Sequence, residues 1–87
     1  MKTLYAIDIV NPFTKTVKME ALTELSKRIH ENAAWDKVGS AFYDVTEALE
    51  NGNVPDTDKV VEFLNDLNER PSTKKTVGFT LDASGLN

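Results

Sequence analysis

The chain has 87 residues, 40% of them hydrophobic and 28% charged, with a formal net charge of −4 and no cysteine. That length fits one small domain with a modest core, and the composition excludes extensive disorder. The missing cysteine excludes disulfides, thiolate zinc sites and thiol nucleophiles, and no apolar run approaches the ~20 residues that span a bilayer.

In chain order the first signal is a strand over Thr3 to Val10, rich in β-branched and aromatic residues, with Tyr5, Ile7 and Ile9 on one face. Asn11 and Pro12 predict a turn, and Thr14 to Val17 a short second strand. From Met19 the period lengthens. Met19, Leu22, Leu25 and Ile29 recur every three or four residues, which predicts a helix ending near Glu31 or Asn32.

A second helix is predicted from Trp35, Val38, Phe42, Val45 and Leu49, which follow a 3-4 spacing up to a stop at Asn51-Gly52. Trp35 belongs to this apolar arc and is expected in the core. At about 100° per residue Tyr43 points the other way, in an arc with Asp36, Gly39, Glu47 and Glu50. A tyrosine among carboxylates is a reasonable contact residue, since it adds area to an interface at low entropic cost.

The third helix starts between Pro55 and Thr57 and buries Val60, Phe63, Leu64 and Leu67, with Pro71 closing it. Lys74 to Leu81 alternates Val77, Phe79 and Leu81 against smaller or polar residues, which predicts a half-buried strand. Residues 82–87 read as a loose tail. The expected fold is a single α+β domain over 1–87, ordered β-(β)-α-α-α-β, in which the first and last strands pair and the helices cover one face. A two-stranded sheet is marginal alone, so self-association is expected to supplement it.

Charge is distributed unevenly. Between Asp44 and Glu69 eight acidic residues face Lys59 alone, a local charge of −7 against +3 for the rest of the chain. On the third helix Asp58, Glu62, Asp66 and Glu69 share one arc, opposite its apolar face. Like charges at this spacing cost a few tenths of a kcal/mol per pair. Such a stripe is either a solvated face or a surface for a basic partner that removes the repulsion.

The cations form smaller groups: Lys15, Lys18, Lys27 and Arg28 around the first helix, and Arg70, Lys74 and Lys75 after the third. Arg70 suits a helix C-terminus. The overall acidity argues against direct DNA binding, which needs a concentrated positive face.

Catalytic and metal signals are weak. His30 is the only histidine, and Ser26 and His30 at i,i+4 lack any sequence that supplies an oxyanion hole. Asn51 to Glu62 imitates a calcium loop, but Pro55 and Asp56 stand where a ligand and the turn glycine belong. No metal site and no cofactor are expected.

The sequence therefore predicts a non-enzymatic, cytoplasmic protein-binding inhibitor or adaptor. Its contact residues are Tyr43, Glu47, Glu50, Asp58, Glu62, Asp66 and Glu69, set against a basic, nucleic-acid-binding type of surface on another protein. Small acidic inhibitors of this kind are familiar among viral and mobile-element products. The alternative is an oligomer that sequesters a small anionic ligand such as a nucleotide between subunits through Lys15, Lys18, Arg70, Lys74 and Lys75.

Overall fold

The computed structural model of the chain describes residues 2–11 and 13–81. Pro12, the expected tail at 82–87 and the side chain of Trp35 lie outside the described residues. Within them the domain is mixed α+β and mostly helical. Its order is β1 (Leu4–Tyr5), α1 (Ala6–Ile9), α2 (Met19–Glu31), a 3-10 turn (Trp35–Lys37), α3 (Ala41–Glu50), α4 (Thr57–Asn68), α5 (Pro71–Val77) and β2 (Phe79–Thr80).

The two terminal strands do pair, in parallel, with Leu4 opposite Phe79 and Tyr5 opposite Thr80. Both are shorter than the sequence suggests, for local reasons. At the N-terminal end the Asp8 carboxylate accepts the Tyr5 N–H at 3.2 Å, and the Val10 N–H reaches the Ala6 carbonyl at 3.0 Å. Together they coil Ala6–Ile9 into one helical turn, so Ile9 is buried while Ile7 emerges at the surface.

The expected strand at Thr14 to Val17 reduces to a single antiparallel bridge between Val17 and Val10. Asn11 organises the loop between them, its side-chain oxygen accepting the N–H groups of Phe13 and Thr14.

At the other end the expected strand from Lys74 is replaced by α5. Proline favours the first helical position, where its missing N–H costs nothing, and Pro71 occupies that position. Gly78 ends the helix at φ +68°, the left-handed conformation that glycine accepts readily. Val77 and Phe79 are both buried. Their two-residue spacing joins a helix end to a strand start and does not mark one continuous strand.

Helix α2 matches its expected span, with Leu22, Leu25 and Ile29 fully buried. The apolar run from Trp35 to Leu49 is not one helix, because Gly39 breaks it at φ +86°. Val38 is buried from the break itself, and Phe42 and Val45 from α3. Helix α4 begins as expected: Asp56 caps it by accepting the Asp58 N–H at 2.9 Å. Its inward face is Val60, Phe63, Leu64 and Leu67. At the centre of the core the Phe42 and Phe63 rings pack with centroids 5.1 Å apart, which joins α3 to α4.

One cation belongs to this interior. Arg28 is only 6% exposed, and its Nη1 donates to the Val77 carbonyl at 3.3 Å. Its Nε pairs with Glu24 at 2.9 Å. The guanidinium thus ties the last turn of α2 to the end of α5, away from the surface cations around it. Arg28→Ala should cost about 1–3 kcal/mol, because it leaves a buried carbonyl without its donor. Glu24→Ala should cost less, about 1 kcal/mol, since the Glu24 side chain is 44% exposed even though the guanidinium it pairs with is only 8% exposed. Urea unfolding of the two variants checks the difference.

Candidate functional site

Helix α3 carries the first half of the candidate site. Tyr43 is 53% exposed, and its ring lies 6.5 Å from that of Phe42, which also meets His30 at 5.7 Å. An aromatic row thus runs from the core residue Phe63 through Phe42 to Tyr43 and His30 at the surface. The surface there is an open groove lined by His30, Phe42, Tyr43, Thr46, Glu47 and Glu50. The structure therefore brings Tyr43, Glu47 and Glu50 together, as the helical arc requires.

Helix α4 carries the second half, and its four stripe carboxylates are not equivalent. Asp58, Glu62 and Glu69 are exposed, whereas Asp66 is half-buried against Gly39. A Cβ added at Gly39 would lie 2.5 Å from the Asp66 Oδ2. Asp66 thus helps to pack the break before α3 against α4 and is the least available of the four to a partner.

The two halves are adjacent. Lys59 on α4 reaches Asp44 on α3 at 3.6 Å, with both side chains about half exposed. Among the described residues the only other ion pair is Arg28 with Glu24. Glu47, Glu50, Asp58, Glu62, Asp66 and Glu69 therefore have no cation within pairing distance there. Each of the two packed helices thus carries carboxylates without a partner cation, Glu47 and Glu50 beside Tyr43 on α3 and the stripe on α4, with the Lys59–Asp44 pair where the helices meet.

The cations of the alternative site are dispersed. Lys15 lies at the start of α4, where its carbonyl accepts the Thr57 hydroxyl at 3.0 Å. Arg70 and Lys74 lie at the other end: Arg70 donates to the Asp66 carbonyl at 3.1 Å, and Lys74 to the Asn68 side chain at 2.9 Å. A 12-residue helix separates these groups, about 18 Å at 1.5 Å per residue. Lys18 and Lys75 are exposed. No one place in a single chain gathers these cations.

The serine and histidine considered for hydrolysis are also placed apart in character: Ser26 is buried, while His30 stands at the surface beside Phe42. Among the described residues no group of three or more His, Cys, Asp or Glu is arranged to hold a metal ion. Asp56 is engaged as the cap of α4. Among those residues, too, no helix is long and apolar enough to cross a membrane.

Sequence reasoning misses one surface feature. Ile7, Val61 and Leu81 are exposed and line a second groove, floored by Val10 and Leu64 and rimmed by Lys15. The doublet Val60-Val61 carries a signal of it, since at 100° per residue both cannot face the core. Ile7 gives no such sign while its segment reads as a strand.

Comparisons with protein-family models, curated proteins and solved structures yield no match.

Proposed function

We propose that the protein is a small non-enzymatic inhibitor or adaptor that presents the acidic faces of α3 and α4 to a basic surface of another protein. The observation that supports this reading is that the carboxylates beside Tyr43 on α3, Glu47 and Glu50, and the exposed ones on the packed neighbour α4, Asp58, Glu62 and Glu69, have no partner cation among the described residues. In isolation such a surface costs a little stability. A basic partner converts that repulsion into attraction, and a basic nucleic-acid-binding surface is the type of partner it fits. The alternative, capture of a small anion between subunits, would have to draw its cations from two chains, because Lys15 and Arg70 stand at opposite ends of α4 within one.

The test begins with a partner co-purified from the native host and identified by mass spectrometry, followed by binding kinetics at two ionic strengths. Glu62→Lys with Glu69→Lys should slow association by about tenfold or more at low salt, since charges steer encounter. Both residues are exposed, so the fold should survive the reversal. Tyr43→Ala should speed dissociation and leave association unchanged, because a packed ring acts after docking. Added salt should reproduce the charge reversal and not the tyrosine effect. Association insensitive to both salt and charge reversal would leave the stripe as a solvated face.

A further inference from the structure

Helices α2 and α3 enclose a trough between them. His30, Thr46 and Glu50 line both the groove beside Tyr43 and the depression next to it, whose further walls include Ser26, Lys27 and Leu49. The two are therefore one feature. On α3, Tyr43, Thr46, Glu47 and Glu50 stand at i, i+3, i+4 and i+7, which sets them along one face. From α2, Ser26 and His30 at i,i+4 form the opposite wall.

Ser26 distinguishes this trough from an ordinary seam between helices. The residue is only 7% exposed, and its hydroxyl has no hydrogen-bond partner among the described residues. None of those residues has a fully buried side-chain nitrogen or oxygen without a partner. The Ser26 oxygen is therefore the part of its side chain that opens into the trough, where it can accept a hydrogen bond from a donor that enters.

The charges on the walls select that donor. Glu47 and Glu50 line the groove beside Tyr43 and have no cation within pairing distance among the described residues. Lys27 lines only the adjoining depression, on the α2 side. With histidine counted neutral, the Tyr43 end carries negative charge alone. An exposed ring beside two carboxylates fits a cation, through cation–π attraction and charge-assisted hydrogen bonds. Lysine offers a compact point charge, whereas a guanidinium is planar, stacks on a ring and holds five donors in a fork, enough for two carboxylates and a hydroxyl together.

We propose that this trough takes an arginine side chain of the basic partner. The guanidinium stacks on Tyr43 and pairs with Glu47 and Glu50, and the Ser26 hydroxyl accepts one of its N–H groups. Lys27 disfavours a second cation on the α2 side. The inference rests on the acidic-face reading and adds the residue type that the face recognises and the place where it docks.

The test uses the full chain, isotope-labelled and observed by NMR, titrated with three short blocked peptides that differ only at a central residue: arginine, lysine, or citrulline, which keeps the shape of arginine without its charge. The arginine peptide should shift the Tyr43 ring signals and the Ser26 and Thr46 amides along a saturating curve. Citrulline should leave them in place, and lysine should bind at least about threefold more weakly. Glu47→Gln with Glu50→Gln should weaken arginine binding about tenfold, while Glu62→Gln with Glu69→Gln leaves it unchanged. Ser26→Ala should weaken it about fivefold, as loss of one hydrogen bond does. Alanine is the better helix former and the hydroxyl has no internal partner to lose, so the thermal midpoint of that variant should not fall.

If arginine binding is lost with Glu62 and Glu69 and kept without Glu47 and Glu50, the cation docks on α4: the trough proposal falls and the acidic-face reading stands. If the arginine peptide moves no signal on α3 or α4, both fall. Equal shifts with citrulline overturn the proposal, because the carboxylates then select nothing. Equal affinity for lysine overturns the assignment to arginine. Unchanged binding in a folded Ser26→Ala variant overturns the placement against α2.

Discussion

Replacing Phe63 by alanine should destabilise the domain by about 3–5 kcal/mol, the usual cost of emptying a buried aromatic site. Phe63 is fully buried, and its ring packs on that of Phe42, with the centroids 5.1 Å apart. The substitution removes apolar burial, leaves a cavity, and breaks the ring contact that joins α3 to α4. At about 0.05–0.15 kcal/mol per residue, a chain of this length has roughly 4–13 kcal/mol in all. The loss is therefore a large share of the whole and enough to leave a weakly stable chain substantially unfolded. Urea denaturation should show a much lower midpoint with little change in slope. Phe63→Leu, which fills more of the space, should cost visibly less. Equal midpoints for Phe63→Ala and the parent would show that this pair does not hold α3 to α4.

Gly39→Ala should cost about 2–3 kcal/mol, more than the same change at Gly52. Both glycines have left-handed φ, +86° and +74°, where a side chain costs roughly 1–2 kcal/mol. Their surroundings differ. A Cβ at Gly52 meets nothing within 4 Å, while at Gly39 it would press on the Asp66 carboxylate at 2.5 Å. Gly52→Ala therefore reports backbone strain, and the excess at Gly39 reports displacement of Asp66. Introducing Gly39→Ala into an Asp66→Ala background should recover that excess, as coupled neighbours do. Additive losses in the double variant would show that the crowding is not the cause.

The parts of the fold legible in the sequence are those where one rule acts without competition. Met19, Leu22, Leu25 and Ile29 keep a single period over a run with no internal glycine or proline, and α2 follows them. Val60, Phe63, Leu64 and Leu67 do the same for α4 behind its Asp56 cap. Where a side chain competes with the pattern, the pattern misleads. Asp8 takes the Tyr5 N–H and coils a segment whose β-branched residues suggest extension. Gly39 interrupts a spacing that its apolar neighbours continue on either side. Pro71 starts a helix as well as ending one, and the Pro71 to Gly78 span carries the punctuation of a short helix that the alternation of Val77 and Phe79 conceals.

The candidate site shows the same division. The clustering of Tyr43, Glu47 and Glu50 follows from geometry within one helix. The withdrawal of Asp66 from the stripe depends on a glycine from another element, and the burial of Arg28 depends on the Val77 carbonyl. No local pattern encodes either contact.

The parallel pairing of Leu4 with Phe79 also governs when the domain can be completed during synthesis. The two partner strands are made 75 residues apart, Leu4 before Phe79. At about 5–20 residues per second, Leu4 and Tyr5 wait several seconds for Phe79 and Thr80. For that interval the nascent chain can assemble α2, α3 and α4 while its first strand still offers unpaired backbone groups. Closure of the sheet waits until Phe79 and Thr80 have emerged, and any earlier pairing of the first strand is with something else.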